Sequence, residues 1–513
     1  MKRWFGWLAF CLVLPLCLAS TSCANREDKG SSGKTPVLGG SVNGDVFVAE
    51  NGLEYTLDAS GESYCVSGIG ACTETTPSIA TSVNGLPVTA IGDYAFFGAE
   101  ITHVSVPDGI TSVGTRAFAQ CDSVLSITLP DSVTSVGAEA FYKCTSLESL
   151  HLGEGLTAVE SYAIAGCSAL QSLRIPDSVV SVSPHAFDGS ACVKLEGGVY
   201  YVDRWVVLCD VSTTEATLRA DTVGIADLAF FACGHLQSLT LSESVRSIGT
   251  SAFDGCDSIL ETAGGVSYVS GWVVDCDPNV TEVVLQADTV GISRSAFADC
   301  KGLTSLTVNG TLSLGERAFY DFDKLESLTI GEGVTAIGDL AFASCDALLE
   351  VHIPSSVTSI GLAAFSGGSS LRALTVDDAN PVYHSDGNCV IETASKTLIA
   401  GCNTSVIPAD GSVTGIGACA FYVSMNLTEI DVPDSVEWIG QDAFYACVSL
   451  ESITLGTGLK RIEDRAFLRC DALATVYYGA GELSWNQIEI SEQDDGNAPL
   501  LNATRQDLAD EQP

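Results

Sequence analysis

Along most of the chain, short runs of alternating apolar and polar residues are separated by turn residues, and the pattern returns in steps of mostly 22 or 23 residues. An Ala-Phe dipeptide marks each return: Ala95-Phe96, Ala117-Phe118, Ala140-Phe141, Ala186-Phe187, Ala229-Phe230, Ala252-Phe253, Ala296-Phe297, Ala318-Phe319, Ala341-Phe342, Ala364-Phe365, Ala420-Phe421, Ala443-Phe444 and Ala466-Phe467. Ala163-Ile164 fills the one gap in register. In a representative unit, Leu147 to Leu152 alternates as a short strand, with Leu150 and Leu152 inward and Ser149 and His151 outward. Pro130-Asp131 turns the chain, Val133 and Val136 form a second apolar segment, and Gly137 permits a tight bend. The Ala-Phe-x-x-Cys piece is predicted as a helical turn that drops Phe into the centre. One such coil cannot bury its apolar side, whereas stacked coils share a continuous core. The pattern predicts a β-rich repeat solenoid.

Three steps are longer than the rest: Phe187 to Phe230, Phe253 to Phe297 and Phe365 to Phe421. They place insertions near residues 191–228, 257–295 and 376–419. The first two are near copies: Gly197-Gly198-Val199-Tyr200-Tyr201-Val202 with Trp205-Val206-Val207, and Gly264-Gly265-Val266-Ser267-Tyr268-Val269 with Trp272-Val273-Val274. Each reads as a β-hairpin around a polar turn. The third, around Asn380 to Thr404, carries the turn signal Asp386-Gly387. The remaining organisation is a leader at 1–22, a flexible tether at 23–44, an N-terminal β cap at 45–80, the solenoid at 81–490 with a C-terminal cap near 474–490, and an acidic tail at 491–513.

The repeated motif IPDSVTSIGxxAFxxCxxLxxI resembles the BspA-like branch of the leucine-rich repeats over roughly residues 81 to 480. That resemblance implies a curved solenoid with a parallel sheet on one face. It also implies a cell-surface or secreted role in adhesion or recognition, with extended units of the kind seen at the three insertions.

Charge narrows the class of partner. The chain has 23 Lys plus Arg against 64 Asp plus Glu, a net charge of −41. Such a surface repels phosphate backbones and anionic membranes, so nucleic acid is excluded as a partner. Cations, basic protein patches and neutral sugars remain. Lys2 and Arg3 precede an apolar run from Trp4 to Ala19, followed by Ser20, Thr21 and Ser22, which is the layout of an export signal. Cys23 then falls where a bacterial lipoprotein carries its lipidated cysteine, although Ser20 stands where Leu is usual. Two readings follow. Either Cys23 anchors the protein to a membrane through lipid, or ordinary cleavage occurs nearby and Cys23 is incidental.

The chain has 20 cysteines. Cys121, Cys144, Cys167, Cys233, Cys256, Cys300, Cys345, Cys447 and Cys470 sit three residues after the repeat's Phe or Ile. As singletons one coil apart they read as buried thiols in a ladder, without the paired spacing of a zinc site. Cys65 with Cys72, and Cys389 with Cys402, are local pairs outside the ladder and are candidate disulfides. His103, His151 and His352 fall on outward strand positions, among Ser and Thr such as Ser126, Thr128, Ser452 and Thr454. Both sets read as a solvated face. The insertion aromatics Tyr200, Tyr201, Trp205, Tyr268, Trp272 and Tyr383 are the candidate ligand-binding residues, because Tyr and Trp supply large rigid contact area. The alternative is that they pack their own hairpins against the solenoid. No motif for a nucleophile elbow, zinc protease, phosphate loop or dinucleotide site occurs, so no catalytic residue, cofactor or metal is expected. The expected function is recognition of an extracellular protein or glycan, with a structural envelope spacer as the alternative and an enzyme a distant third.

Overall fold

The structure is a computed structural model that describes residues 41–43, 46–491 and 495–506. The expected leader, Cys23, the tether up to residue 40 and the last seven residues of the tail lie outside the described residues. The chain divides into two compact units, Met1–Leu208 and Cys209–Pro513, so the boundary falls inside the first insertion.

Each unit is a run of stacked coils, and each coil contributes to two rows of short parallel strands. In the first unit one row contains His103–Ser105, Ser126–Thr128 and Ser149–His151, aligned so that Val104, Ile127 and Leu150 are neighbours. The other row contains Leu86–Ile91, Ser112–Val113 and Ser135–Val136. The second unit repeats this with Glu429–Val432, Ser452–Leu455 and Thr475–Tyr478 in one row, and Trp438–Ile439 and Arg461–Ile462 in the other. Parallel pairing therefore occupies two faces rather than the one expected, because the second apolar segment of the repeat is itself a strand. The rows are also broken into short ladders. Ser238–Thr240 pairs only with Glu215–Thr217, while Ser327–Ile330 belongs to a separate ladder with Ser305–Val308 and Glu282–Val284. The second insertion separates those two ladders.

The Ala-Phe segments form no helix. Each is a pair of turns, and all but the Phe297 segment, where Ser295 alone is left-handed, have two left-handed residues, one placed two before the Phe and one two after it. Examples are Glu139 (φ 58°) and Lys143 (φ 57°) around Phe141, and Leu340 (φ 54°) and Ser344 (φ 59°) around Phe342. A left-handed residue other than glycine costs about 1–2 kcal/mol. What it gains is a third inter-coil ladder: Glu139 N–H donates to Ser161 at 3.0 Å, Phe141 to Ala163 at 2.8 Å, and Lys143 to Ala165 at 2.7 Å. Alternating handedness turns every second N–H toward the next coil, so backbone groups that a helix would satisfy internally bond between coils instead.

Inside this frame the Phe rings stack. Phe96, Phe118 and Phe141 lie at centroid spacings of 5.0 and 5.7 Å, Phe319, Phe342 and Phe365 at 5.4 and 6.0 Å, and Phe421, Phe444 and Phe467 at 5.0 and 5.1 Å. All are buried.

Each end of the described chain is closed by a different device. At the start, Ser41–Asn43, Val46–Val48, Glu54–Leu57 and Tyr64–Gly68 form an antiparallel meander whose last strand pairs in parallel with Leu86–Ile91. Phe47 and Tyr55 from this meander cover the first coil's core. At the other end, part of the segment expected as a polar tail is folded. Leu500 on the short helix Ala498–Asn502 is buried, and Thr504–Gln506 adds a parallel strand to Thr475–Tyr478. The buried Asn497 side chain accepts from Phe467 N–H at 3.2 Å and donates to the carbonyls of Glu463 and Ser491 at 2.9 and 2.8 Å. A polar composition hid this, because one leucine and one asparagine are enough to seal the last coil.

Candidate functional site

The insertion aromatics lie in the core. Tyr201, Trp205, Tyr268, Trp272 and Tyr383 are all buried, and only Tyr200 is partly accessible. The reading of these residues as ligand contacts is therefore corrected. The cause is local geometry. In the second insertion, Glu261–Ala263, Val266–Val269 and Trp272–Cys276 form an antiparallel meander, and its last strand pairs in parallel with Gly291–Ile292. Trp272 lies flat over Gly291, where an added Cβ would come within 2.4 Å of the ring. Tyr268 points inward, and its hydroxyl accepts from Gln286 N–H at 3.4 Å. In the third insertion the Tyr383 hydroxyl accepts from Ile360 N–H at 3.1 Å. Burial raises the pKa of both tyrosines. The insertions replace coil strands and their aromatics fill the coil, so they brace the core.

The candidate disulfides are thiols in the structure. Cys65 is buried with its Sγ near the Val66 carbonyl at 3.5 Å, and Cys72 is half-buried. Cys389 and Cys402 are buried, and Cys402 Sγ lies 3.9 Å from the Asn388 carbonyl. The cysteine ladder has a more specific role than apolar filling. Most of these thiols donate to the carbonyl of the Phe one coil earlier: Cys121 to Phe96 at 2.9 Å, Cys144 to Phe118 at 3.0 Å, Cys256 to Phe230 at 3.0 Å and Cys470 to Phe444 at 3.0 Å; after the insertions Cys233 and Cys300 face the carbonyls of Cys209 and Asp277 instead. Ser190 occupies the same register and donates to the Ile164 carbonyl. That serine was the sequence signal for a donor, since serine is no substitute for an apolar filler. Desolvation pushes Cys167 and Cys345 up to about 12 and Cys256 up to about 11, which keeps these thiols protonated and unreactive at neutral pH. Among the described residues, no group of three or more His, Cys, Asp or Glu could hold a metal ion.

The exposed aromatics lie elsewhere, on the turn side of the coils. In the first unit Tyr94, Phe97 and Tyr162 are exposed at 50%, 42% and 40%. They occupy two repeat positions on the turns: two before the Phe (Tyr94, Arg116, Glu139, Tyr162, His185) and one after it (Phe97, Ala119, Tyr142, Ala165), where the long side chains reach solvent and the two alanines are buried. The Tyr94 and Phe97 rings meet at 5.8 Å, and Tyr162 stacks on His185 at 5.2 Å. The Arg116 guanidinium sits 5.8 Å over the Tyr94 ring, and Lys143 Nζ sits 5.0 Å over the Tyr142 ring. Arg116 also makes a two-pronged bond to Glu139, both contacts at 2.8 Å, and His185 pairs with Asp188 at 2.8 Å. The Glu139 pairing raises the Arg116 pKa. The result is a strip of aromatic rings held by Arg116, Lys143 and His185, each of which covers a ring face. In the second unit the turn side carries Phe231 and Tyr320, both exposed, and Tyr422 stacked on Tyr445 at 4.8 Å. The sequence reading missed these residues because it followed the Ala-Phe pair and not the variable positions flanking it. The signal was an aromatic directly after the repeat Phe at 97, 142, 231, 320, 422 and 445.

The strand face is polar by contrast. His103, His151 and His352 are exposed on it, with His352 Nδ1 3.0 Å from the Thr375 hydroxyl. Thr128, Thr240 and Thr329 are likewise exposed. These residues form a solvated surface without convergent groups.

Stacked coils with an inward leucine row and a phenylalanine ladder define a leucine-rich-repeat solenoid. The family model described as BspA type leucine-rich repeat region matches residues 78–196, 207–264, 274–384 and 392–488, which is most of the chain, and the chain belongs to that family. Several solved structures are similar. A leucine-rich cell surface protein from Faecalibacterium prausnitzii is 18% identical, over 88% of this chain and 97% of that one, with a TM-score of 0.24. A leucine-rich repeat protein from T. pallidum is 24% identical, over 40% of this chain and 87% of that one, with a TM-score of 0.29. One from Eubacterium ventriosum is 20% identical, over 83% and 88% of the two chains, with a TM-score of 0.25. A search of curated proteins finds no match.

Proposed function

We propose that the protein is a non-catalytic recognition protein, displayed outside a bacterial cell, that binds an extracellular protein or glycan through an exposed face of its solenoid. The observation that carries this reading is the aromatic strip on the turn side of the first unit. Exposed aromatics are costly to leave in water and large contiguous apolar patches tend to mark interaction sites. Display outside the cell rests on the leader-like residues Lys2 to Ser22 and on the adhesion role that the BspA-like resemblance implies. Cys23 would supply the anchor. A Cys23→Ala variant should leave the membrane fraction in the native host, and unchanged retention would rule that anchor out. A lipid anchor needs more than one acyl chain for stable attachment.

The uniform Ser, Thr and acidic strand face favours a second reading, a spacer in the envelope with no ligand of its own. Arrays of polysaccharides and matrix proteins probed with the full chain separate the two. Saturable binding to any member supports recognition, and none across the array supports the spacer.

A further inference from the structure

We infer that the third insertion is an internal starting cap, a wall that divides the second unit into two blocks that unfold separately, one ending at Val376 and one beginning at Tyr383. This stands apart from the recognition reading. Three observations within that unit carry it.

The first is topology. Tyr383–Asp386, Cys389–Glu392 and Thr397–Ala400 form an antiparallel meander, and its last strand pairs in parallel with Gly415–Ile416. The meander that starts the first unit is built the same way, with Tyr64–Gly68 as the last strand and Leu86–Ile91 as its parallel partner. There the device closes an end of a stack, whereas here it stands inside the chain. The block that follows it also has a closing device of its own in Asn497 and Leu500.

The second is hydrogen bonding. All three ladders between coils stop where the meander begins. One strand row ends with Ala373–Val376 on Glu350–Ile353, and the other with Ser359–Ile360 on Val334–Ile337. The turn ladder makes its last bonds from Phe342 to Ala364 and from Ser344 to Ser366, both at 2.8 Å, and resumes from Gly401 to Ala420 at 2.8 Å. Beyond the connecting turn at Asp377 to Asn380, the hydrogen bonds that cross are made by side chains. The Tyr383 hydroxyl accepts from Ile360 N–H at 3.1 Å, and the Ser385 hydroxyl accepts from Val376 N–H at 2.9 Å. The Asn403 and Asn426 amides donate to the Ser369 carbonyl at 3.2 and 2.9 Å, and the Thr404 hydroxyl donates to the Arg372 carbonyl at 2.7 Å.

The third is the core. Strand side chains alternate between two faces. Here both faces are buried, and they belong to different cores. Tyr383, Val390, Ala400 and Cys402 pack with the coils of Phe342 and Phe365. Cys389, Ile391 and Leu398 pack with the coils of Phe421 and Phe444. The two cores share no residue. Stacked coils are coupled only through neighbour interfaces, and unfolding stops where an interface is weak. The interface at this wall keeps its apolar contacts and its side-chain bonds but has no backbone ladder. Damage to one block therefore leaves the other folded.

Hydrogen exchange of the full chain in moderate urea, read by mass spectrometry, tests this with a reciprocal pair of variants. Phe444→Ala should speed the slowest amides of residues 429–478 about a hundredfold or more, and those of residues 305–360 less than about threefold. Phe342→Ala should do the reverse. If either variant speeds both blocks alike, unfolding runs through the wall and the inference is overturned. Should a Phe variant fail to fold, the buried pair Ile453→Val and Ile353→Val replaces it. Each should speed its own block about severalfold and spare the other, and equal acceleration of both blocks would again overturn the inference.

Discussion

The insertion hairpins and the turn side of the first unit carry the same residue types and use them in opposite ways. Trp205, Tyr201, Tyr268 and Trp272 sit in β-rich runs that invite a reading as projecting loops, yet their rings are buried. Tyr94, Phe97 and Tyr162 sit beside the most regular core marker in the chain, yet they face solvent. The difference comes from which position in the coil each residue occupies. An insertion strand that joins a parallel row must place alternate side chains in the core, and over Gly291 there is room for an indole. A turn of alternating handedness sends Phe inward and leaves the flanking positions at the rim, where long side chains such as Tyr94, Phe97 and Tyr162 reach solvent and Ala119 and Leu340 stay buried. Aromatic content therefore indicates little about contact surfaces in a solenoid until the register is known.

Stability measurements can break this comparison most severely. Trp272→Ala and Phe342→Ala each empty a buried site and should cost about 3–5 kcal/mol in chemical unfolding. Tyr94→Ala and Tyr162→Ala should each cost below about 1 kcal/mol. Comparable losses in the two groups would erase the distinction. A smaller effect sharpens the account of the ladder. Cys144→Val leaves the Phe118 carbonyl without its 3.0 Å donor and should cost about 1–3 kcal/mol, whereas Cys144→Ser keeps a donor and should cost less. Equal losses would show that the thiol serves only as filler.

The pH dependence follows from the same thiols. In the unfolded chain a thiol ionises near about 8.5, while burial holds Cys167 and Cys345 near about 12 in the fold. The stability these groups contribute is complete below the unfolded value and is lost as pH rises toward the folded one. Melting under reductant should therefore fall steadily from pH 8 to pH 11. A flat profile would contradict their burial as protonated donors. The smallest expected effect is favourable. Val423 is β-branched and left-handed at φ 56°. Val423→Gly relieves about 1–2 kcal/mol of strain and costs about 0.5–1 kcal/mol in chain entropy, so a small rise in Tm is expected. A fall would mean that the valine side chain contributes packing that outweighs its strain.

Most of the fold was legible in the sequence because the repeat is strict. The Ala-Phe spacing located most of the coils outside the insertions, and the alternation around Leu150 oriented its strand correctly. The second strand row was harder to see, since Ser135–Val136 is too short to show a period of two. The turn was read as helical because a Phe with a Cys three residues on fits one helical face. Nothing in residue identity marks left-handed backbone when Glu139, Lys143 and Leu340 adopt it in place of glycine. The candidate site was misplaced for a related reason. Hairpin patterning in the insertions was visible, but the parallel pairing of each hairpin's last strand to the following coil is a long-range contact that local pattern does not encode.

Hydroxyl-radical footprinting of the native full chain, read by mass spectrometry, tests the central assignment most directly. Tyr94, Phe97, Tyr162 and Phe231 should label rapidly in the folded protein. Tyr201, Trp205, Tyr268, Trp272 and Tyr383 should label only after denaturation. If Trp205 and Trp272 label in the native chain as fast as Tyr94, the insertions present their aromatics to solvent and the account given for both regions is wrong.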